Sequence, residues 1–435
     1  MKLLFLAPQP FFQERGTPIA VRLALEVLAQ REPRPEIDLL VYHEGVDIPI
    51  PGVTVHRLWI PPFLRGVLSG IRPGISKKKV ICDLFFFLQA IWLCIRASRR
   101  GGYDLIHAVE ESVFIALCIR MVTGAPYLYD MDSSLSLQLT DTWRTLRFFR
   151  PLFVALERLA VRRSAAVVPV CDALAALADE AGSPHTCILR DVSLLDHPEQ
   201  SLRKPSSTDR PCPEAALSVQ SSLRGAAGIN QADTVIVYIG NLERYQGIDL
   251  AMQGFSMIAE GHRRAHLVII GGGTEHITAY GAVARTLPGG ERIHLLGPRP
   301  VAQLHRLISE ADVLISPRIL GNNTPMKVYS FLHSGKPLVA TAIASHTQVL
   351  TERVARLCEP TPAGFGEGLA WVLTHPAEAV QMGQRARALA EERYTFGIFR
   401  RSLLELYDRF SPEVLRDVRG EMVRDTRDCH QGCGE

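Results

Sequence analysis

The sequence predicts an α/β chain made of two doubly wound domains, each a mainly parallel sheet covered by helices. Short runs rich in Val, Ile and Leu alternate with stretches of helical period through residues 1–190, and again through 232–395. That is the pattern of parallel strands returned by crossover helices. Between them, residues 191–231 turn to Pro, Ser, Arg and Gln with poor periodicity, apart from a short helical patch over 213–222, as a linker or irregular insertion does. A chain of 435 residues is also long enough for two ordinary domains.

Taken in order, the first strand is KLLFLA at 2–7. Pro8-Gln9-Pro10 cuts it off sooner than the apolar core of a secretory signal would end. After a loop over 8–16, Thr17-Pro18 opens a helix over 19–30 whose Leu23, Val27 and Leu28 share one face. Strands are expected at 37–43, 54–58 and 103–109, the last running into Glu110-Glu111. Further strands at 127–131, with Asp130 at its end and Asp132 just beyond, and at 165–170 complete the first half. The second half opens with a strand at 234–239, a loop over 240–247 and a helix over 249–259. Strands at 266–270 and 293–296 run into Gly271-Gly272-Gly273 and Gly297-Pro298. Helices at 376–393 and 396–410 close the fold, with a closing segment drawn at 396–412, and the charged tail 413–435 is expected to be disordered.

Residues 311–341, ADVLISPRILGNNTPMKVYSFLHSGKPLVAT, read as strand, loop, helix, turn and strand. Thr324 offers an N-cap oxygen and Pro325 takes the first helical position, where a missing N–H matters least. Gly335 stops the helix, and Lys336-Pro337 leads into LVAT. A helix N-terminus delivered at the carboxyl end of a parallel strand binds anions, because free N–H groups and the helix dipole point outward.

This stretch resembles the donor-site segment of retaining GT-B-fold glycosyltransferases of family 4. Gly335-Lys336-Pro337-Leu338-Val339-Ala340 matches the family's small-residue turn. The family's two glutamates, with seven residues between them, fall at Asn322 and Ser330, and the arginine and lysine of its Gly-Arg-(x)4-Lys-Gly segment fall at Asn241 and Gln246. The resemblance implies two Rossmann-like domains facing across a cleft. It implies transfer of a sugar from a nucleotide-diphosphate sugar to a hydroxyl of a glycan or lipid-linked acceptor, with no metal or other cofactor required. It places Gly16 and Thr17 at the donor phosphates, His107 at an active-site histidine with Glu110 as second candidate, and Gly297, Pro298 and Arg299 at the nucleobase. Asp130 and Asp132 fall on the acceptor side, and the closing helix packs back on the first domain. For His107 the plain alternative is a structural histidine bonded within the fold. With the usual cations replaced, Arg244, Arg318 and Lys327 are the nearby charges for a diphosphate: Arg318 as a bidentate donor, Lys327 as a point charge on the first helical turn. Two other readings stay open: a catalytically silent relative that binds glycan or a partner, and a GT-B sugar-nucleotide epimerase.

Composition excludes several classes. A net charge of +3 gives no case for nucleic acid. Nine scattered cysteines, mostly in apolar surroundings, point to buried thiols in a reducing, cytoplasmic compartment. Cys429-His430-x-x-Cys433 lacks the second ligand pair of a zinc site, and Gly271-Gly272-Gly273 lacks the acidic partner of a dinucleotide fingerprint. Two stretches suggest peripheral contact with an anionic membrane at its inner face. One is 143–163, with Arg144, Arg147, Arg150, Arg158, Arg162 and Arg163 among apolar residues; the other is 80–95, preceded by Lys77-Lys78-Lys79 and followed by Arg96, Arg99 and Arg100. At about 24 Å the latter is short for a span, and it also reads as a buried core helix with charged ends.

Overall fold

The computed structural model describes residues 1–11, 16–45, 48–71, 76–134, 148–196 and 222–410. They form two units: Met1–Arg190 joined by the segment from Phe399, and Asp191–Ile398.

The first unit holds a sheet of β1 (Lys2–Ala7), β2 (Glu36–Val41), β3 (Val53–Arg57), β4 (Leu105–Val109), β5 (Tyr127–Met131) and β6 (Ala166–Pro169). The order is β3-β2-β1-β4-β5-β6, every pairing parallel. Helices α1 (Gly16–Ala29), α2 (Pro62–Arg65), α3 (Lys77–Ser98), α4 (Ser112–Thr123), α5 (Arg150–Arg163) and α6 (Asp172–Ala181) return the chain between strands. Leu3 through Ala7 are wholly buried because both faces of β1 are covered, which is why that strand is continuously apolar rather than alternating. Strand order reverses between β1 and β4, so the loops leaving their carboxyl ends diverge there and leave room for a ligand.

The second unit repeats this winding. After α7 (Leu223–Ala227) come β7 (Thr234–Ile239), α8 (Ile248–Ile258), β8 (Ala265–Ile270), α9 (Thr274–Ala284), β9 (Ile293–Gly297) and α10 (Leu304–Ser309). Then follow β10 (Val313–Ser316), α11 (Met326–Ser334), β11 (Leu338–Thr341), α12 (Ala344–Thr347), β12 (Arg356–Cys358), α13 (Pro362–Thr374) and α14 (Pro376–Arg393). The parallel order β12-β11-β10-β7-β8-β9, read from the β9 edge, is that of the first sheet, with its reversal between β7 and β10. Three-residue β12 is too short to show a period and escapes sequence reading. α15 (Phe396–Asp408) then carries the chain into the first unit, where Phe399, Leu403, Leu406 and Tyr407 are buried.

Two expectations are revised. Gly335 does stop α11 at φ 71°, the left-handed conformation glycine reaches without strain, but the helix opens differently. Pro325 lies outside it with ψ 131°, no side chain caps it, and Thr324 is therefore not its N-cap. The helical patch expected at 213–222 and the arginines Arg144 and Arg147 lie outside the described residues, apart from Ser222, which caps α7.

Candidate active site

In the second unit, the loops leaving β7 and β10 meet at the switch point. Gly247, at φ 71°, joins them: a Cβ there would stand 1.9 Å from the Pro317 carbonyl oxygen, so only glycine permits the approach. Ile319 N–H donates to the Tyr245 carbonyl at 2.9 Å and reinforces the seam. Behind it stands Lys327, on the first turn of α11. Its Nζ donates to Gln246 Oε1 at 3.2 Å and lies 3.9 Å from the centroid of the Tyr238 ring. Gly240 lets it in, since a Cβ at that position would sit 3.1 Å from Nζ. Burial, with the Arg318 charge adding to it, holds the ammonium well below the ordinary lysine range.

Two further features point the same way. Thr324 Oγ1 is buried and has no hydrogen-bond partner within the protein, and the N-terminus of α11 is uncapped. A desolvated ammonium paired only to a neutral amide, an unmatched hydroxyl and a free helix N-terminus all favour an acidic ligand.

The other sequence candidates of this unit take different places. Gln246 is buried and serves as partner to Lys327 rather than facing a ligand. Arg318 is 8% exposed, and Nε, Nη1 and Nη2 donate to Leu320 O, Asn323 O and Asn323 Oδ1 at 2.7, 2.9 and 3.1 Å. It threads and shapes the 318–323 loop and adds positive potential, so the bidentate phosphate contact expected of it is replaced by loop bonds. Ser330 is wholly buried and its Oγ accepts from Leu194 N–H at 3.0 Å, which removes it from the ligand-binding set. Asn322 is exposed, its carbonyl accepting from Gln348 Nε2 at 2.8 Å. Asn241, also exposed, closes a turn through Glu243 N–H at 3.2 Å, and Arg244 is exposed on the next turn. The Gly297 carbonyl already accepts from Gly271 N–H at 2.9 Å, beside Pro298 and Arg299, whose Nη1 donates to the Pro298 carbonyl at 3.2 Å.

Sequence reading missed Tyr238 and His346. His346 is fully buried, with Nδ1 2.9 Å from the Thr341 carbonyl and Nε2 2.9 Å from Ser316 Oγ. The carbonyl requires Nδ1–H as donor, leaving Nε2 to accept. Burial, together with the Lys327 and Arg318 charges, pushes its pKa down to about 4, so a neutral imidazole ties the ends of β10 and β11 together. The available signal was a pair of strands ending in hydroxyls, Ser316 and Thr341, with a histidine five residues on.

In the first unit the carboxyl end of β4 is the corresponding place. His107 does not line it. The ring is 1% exposed, stacks on Phe5 at 4.4 Å, and sets Nδ1 2.8 Å from the Tyr407 hydroxyl and Nε2 3.1 Å from Asp130 Oδ2. Both nitrogens are used inside the fold, so the plain alternative holds: His107 is structural, and Asp130 is its partner rather than an acceptor contact. Asp132 is 8% exposed, while Gly16 is exposed at the start of α1 and Thr17 partly so. Glu110 does stand at the strand end, at φ 51°, a conformation non-glycine residues rarely hold. Its N–H donates to the Asp130 carbonyl at 2.9 Å. Burial, with Glu111 and Asp130 adding their charges against Lys79, pushes its pKa up to about 7.

A doubly wound domain with a partly buried lysine and an uncapped helix N-terminus at its switch point has the features by which such folds hold phosphorylated ligands. A family model described as "Glycosyl transferases group 1" matches residues 219–389, and one described as "Glycosyl transferase 4-like domain" matches 19–189. D-inositol 3-phosphate glycosyltransferase of Kribbella flavida is 22% identical over 367 residues, 78% of this chain and 76% of that protein. Sucrose-phosphate synthase of Thermosynechococcus elongatus superposes with a TM-score of 0.72 at 18% identity, covering 94% of this chain and 98% of the other. HepE of Anabaena, in complex with UDP-glucose, does so at 0.65 and 16%, covering 94% and 99%. The chain belongs to the group 1 glycosyltransferases of the GT-B fold and is a transferase.

Proposed function

We propose that this enzyme moves a sugar from a nucleoside-diphosphate sugar to a hydroxyl of a glycan or lipid-linked acceptor, retaining the anomeric configuration and using no metal. The observation that carries the reading is Lys327 at the switch point, desolvated, bonded to the Gln246 amide and lying over the Tyr238 ring. The structural neighbour in complex with UDP-glucose supports a nucleotide-sugar donor. In the transfer the bond from C1 to the diphosphate oxygen breaks and its electron pair stays with the diphosphate. The acceptor oxygen bonds to C1, and its proton is lost to a carboxylate, the departing phosphate or solvent. Charge on the leaving group grows as the bond breaks, so an ammonium and a helix N-terminus aimed at it stabilise the transition state more than the ground state.

A thermal-shift screen with nucleoside diphosphates tests the donor class, since a ligand that binds only the folded state raises the melting temperature. No shift with any of them, and no transfer or hydrolysis of their sugars, would overturn the proposal. The anomeric signal of the product in NMR tests retention. Exhaustive chelation is expected to leave the initial rate unchanged; a rate restored only by added divalent ion would refute metal independence.

Glu110 adds a pH signature. As an acceptor-side carboxylate it binds a sugar hydroxyl best when ionised, so the rate is expected to rise as pH passes through about 7. Glu110→Gln should remove that limb. Asp83, also pushed up to about 7 but bonded to the Tyr42 hydroxyl, is the control: Asp83→Asn should leave the limb in place. Stability has the opposite sense. The folded state keeps a proton on Glu110 that the unfolded chain releases near the ordinary 4.5, so this group's contribution falls between that pH and about 7.

A further inference from the structure

The surface of α3 is turned inside out. Toward the core it presents Cys82, Phe86, Ala90, Leu93 and Ala97, but its outward face is apolar as well. Ile81, Leu84, Leu88, Trp92 and Ile95 are 45–60% exposed and fall along one line at helical spacing. Lys77 and Arg99 continue that line at its two ends, both exposed, beside exposed Lys78, Arg96 and Arg100. The polar residues along its middle, Lys79, Asp83 and Gln89, are engaged with the protein. Lys79 pairs with Glu111, and Asp83 accepts from the Tyr42 hydroxyl. Gln89 donates to the Arg57 carbonyl at 3.0 Å and accepts from Trp59 N–H at 2.7 Å. That last pair of bonds pins Trp59, 61% exposed, beside the stripe, with Phe63 of α2, 79% exposed, just beyond.

An uncovered apolar face of this extent marks a contact surface, and the charges around it select the contact. By length and composition α3 could cross a membrane. Spanning would pull Phe86 and Leu93 out of the core and carry Lys79 and Asp83 into hydrocarbon. A second copy packing α3 on α3 would set basic ends against basic ends in either direction. Apolar side chains with tryptophans, bounded at both ends by lysine and arginine, fit the headgroup boundary of an anionic bilayer.

We infer that this enzyme docks on anionic phospholipid through the outward face of α3, with Trp59 and Phe63, the helix lying in the membrane plane and its terminal cations on lipid phosphates. The inference rests on the first unit and is independent of the donor reading. Of the two stretches read from sequence it takes the one around 77–100; residues 143–147 of the other lie outside the described residues.

The test is flotation of the full chain with vesicles of phosphatidylcholine, with and without phosphatidylglycerol. The parent is expected to float with the anionic vesicles and to be released by salt. Leu88→Ser with Trp92→Ser should weaken that partition about tenfold or more, because two side chains lose their transfer to the interface. Lys77→Glu with Arg99→Glu should weaken it on anionic vesicles only. All four positions are exposed, so melting temperature should stay at the parent's value. As a second readout, vesicles should shift the parent's tryptophan emission to the blue, and the shift should shrink in the Trp92 variant. Equal flotation of parent and Leu88/Trp92 variant, or equal binding of the parent to neutral and anionic vesicles, would overturn the inference. So would a dimer in solution lost with the same two substitutions while vesicles are ignored, since a second copy would then cover the face.

Discussion

Lys327→Met is expected to lower kcat/KM for transfer by roughly ten- to a hundredfold, the effect of losing one charge-assisted hydrogen bond to the leaving diphosphate. It should leave the melting temperature unchanged or slightly raised. Burial and the Arg318 charge hold the ammonium well below its ordinary value, so folding disfavours the charged form and a neutral isostere escapes that penalty. The sign follows from proton counts. The folded state binds fewer protons at Lys327 than the unfolded chain, so this group's contribution to stability rises with pH up to the unfolded value of 10.5. An anionic ligand reverses the bias: diphosphate binding should take up a proton and weaken as pH rises through the lowered value, visible by calorimetry in buffers of different ionisation enthalpy. Lys327→Arg should not rescue, because Gly240 and Gln246 enclose Nζ too closely for a guanidinium. If activity fell only in proportion to folded protein, Lys327 would be a stability residue and its place at the phosphate would be lost.

His107→Ala should cost about 3–5 kcal/mol of stability, with a modest effect on kcat at temperatures where the variant stays folded. The substitution opens a cavity against Phe5 and strips partners from Asp130 and the Tyr407 hydroxyl. Tyr407→Phe removes one of these bonds and should cost about 1 kcal/mol. Since Tyr407 lies on α15, both variants should loosen that helix first, seen as faster amide exchange at 399–408. A hundredfold loss of kcat in His107→Ala with an unchanged melting curve would instead put the imidazole at the substrate.

These two residues mark where local reading ends. Strand and helix order in both units, the break after the first, the loop before α11 and the stop at Gly335 were all legible, because each depends on neighbours a few residues away. The aim of a polar side chain was not. His107 is fixed by a tyrosine 300 residues on, Ser330 by a backbone 136 away, and Lys327 by a glutamine 81 away. Nothing local distinguishes a strand-end histidine that meets a ligand from one that meets a returning helix. α3 shows the same division. Its period declares a helix, but with apolar residues all round, sequence leaves open which side is buried and whether any side is exposed. Packing decided it, by turning Cys82, Phe86 and Ala90 inward and drawing Lys79, Asp83 and Gln89 into bonds, which left Leu84, Leu88 and Trp92 on the surface.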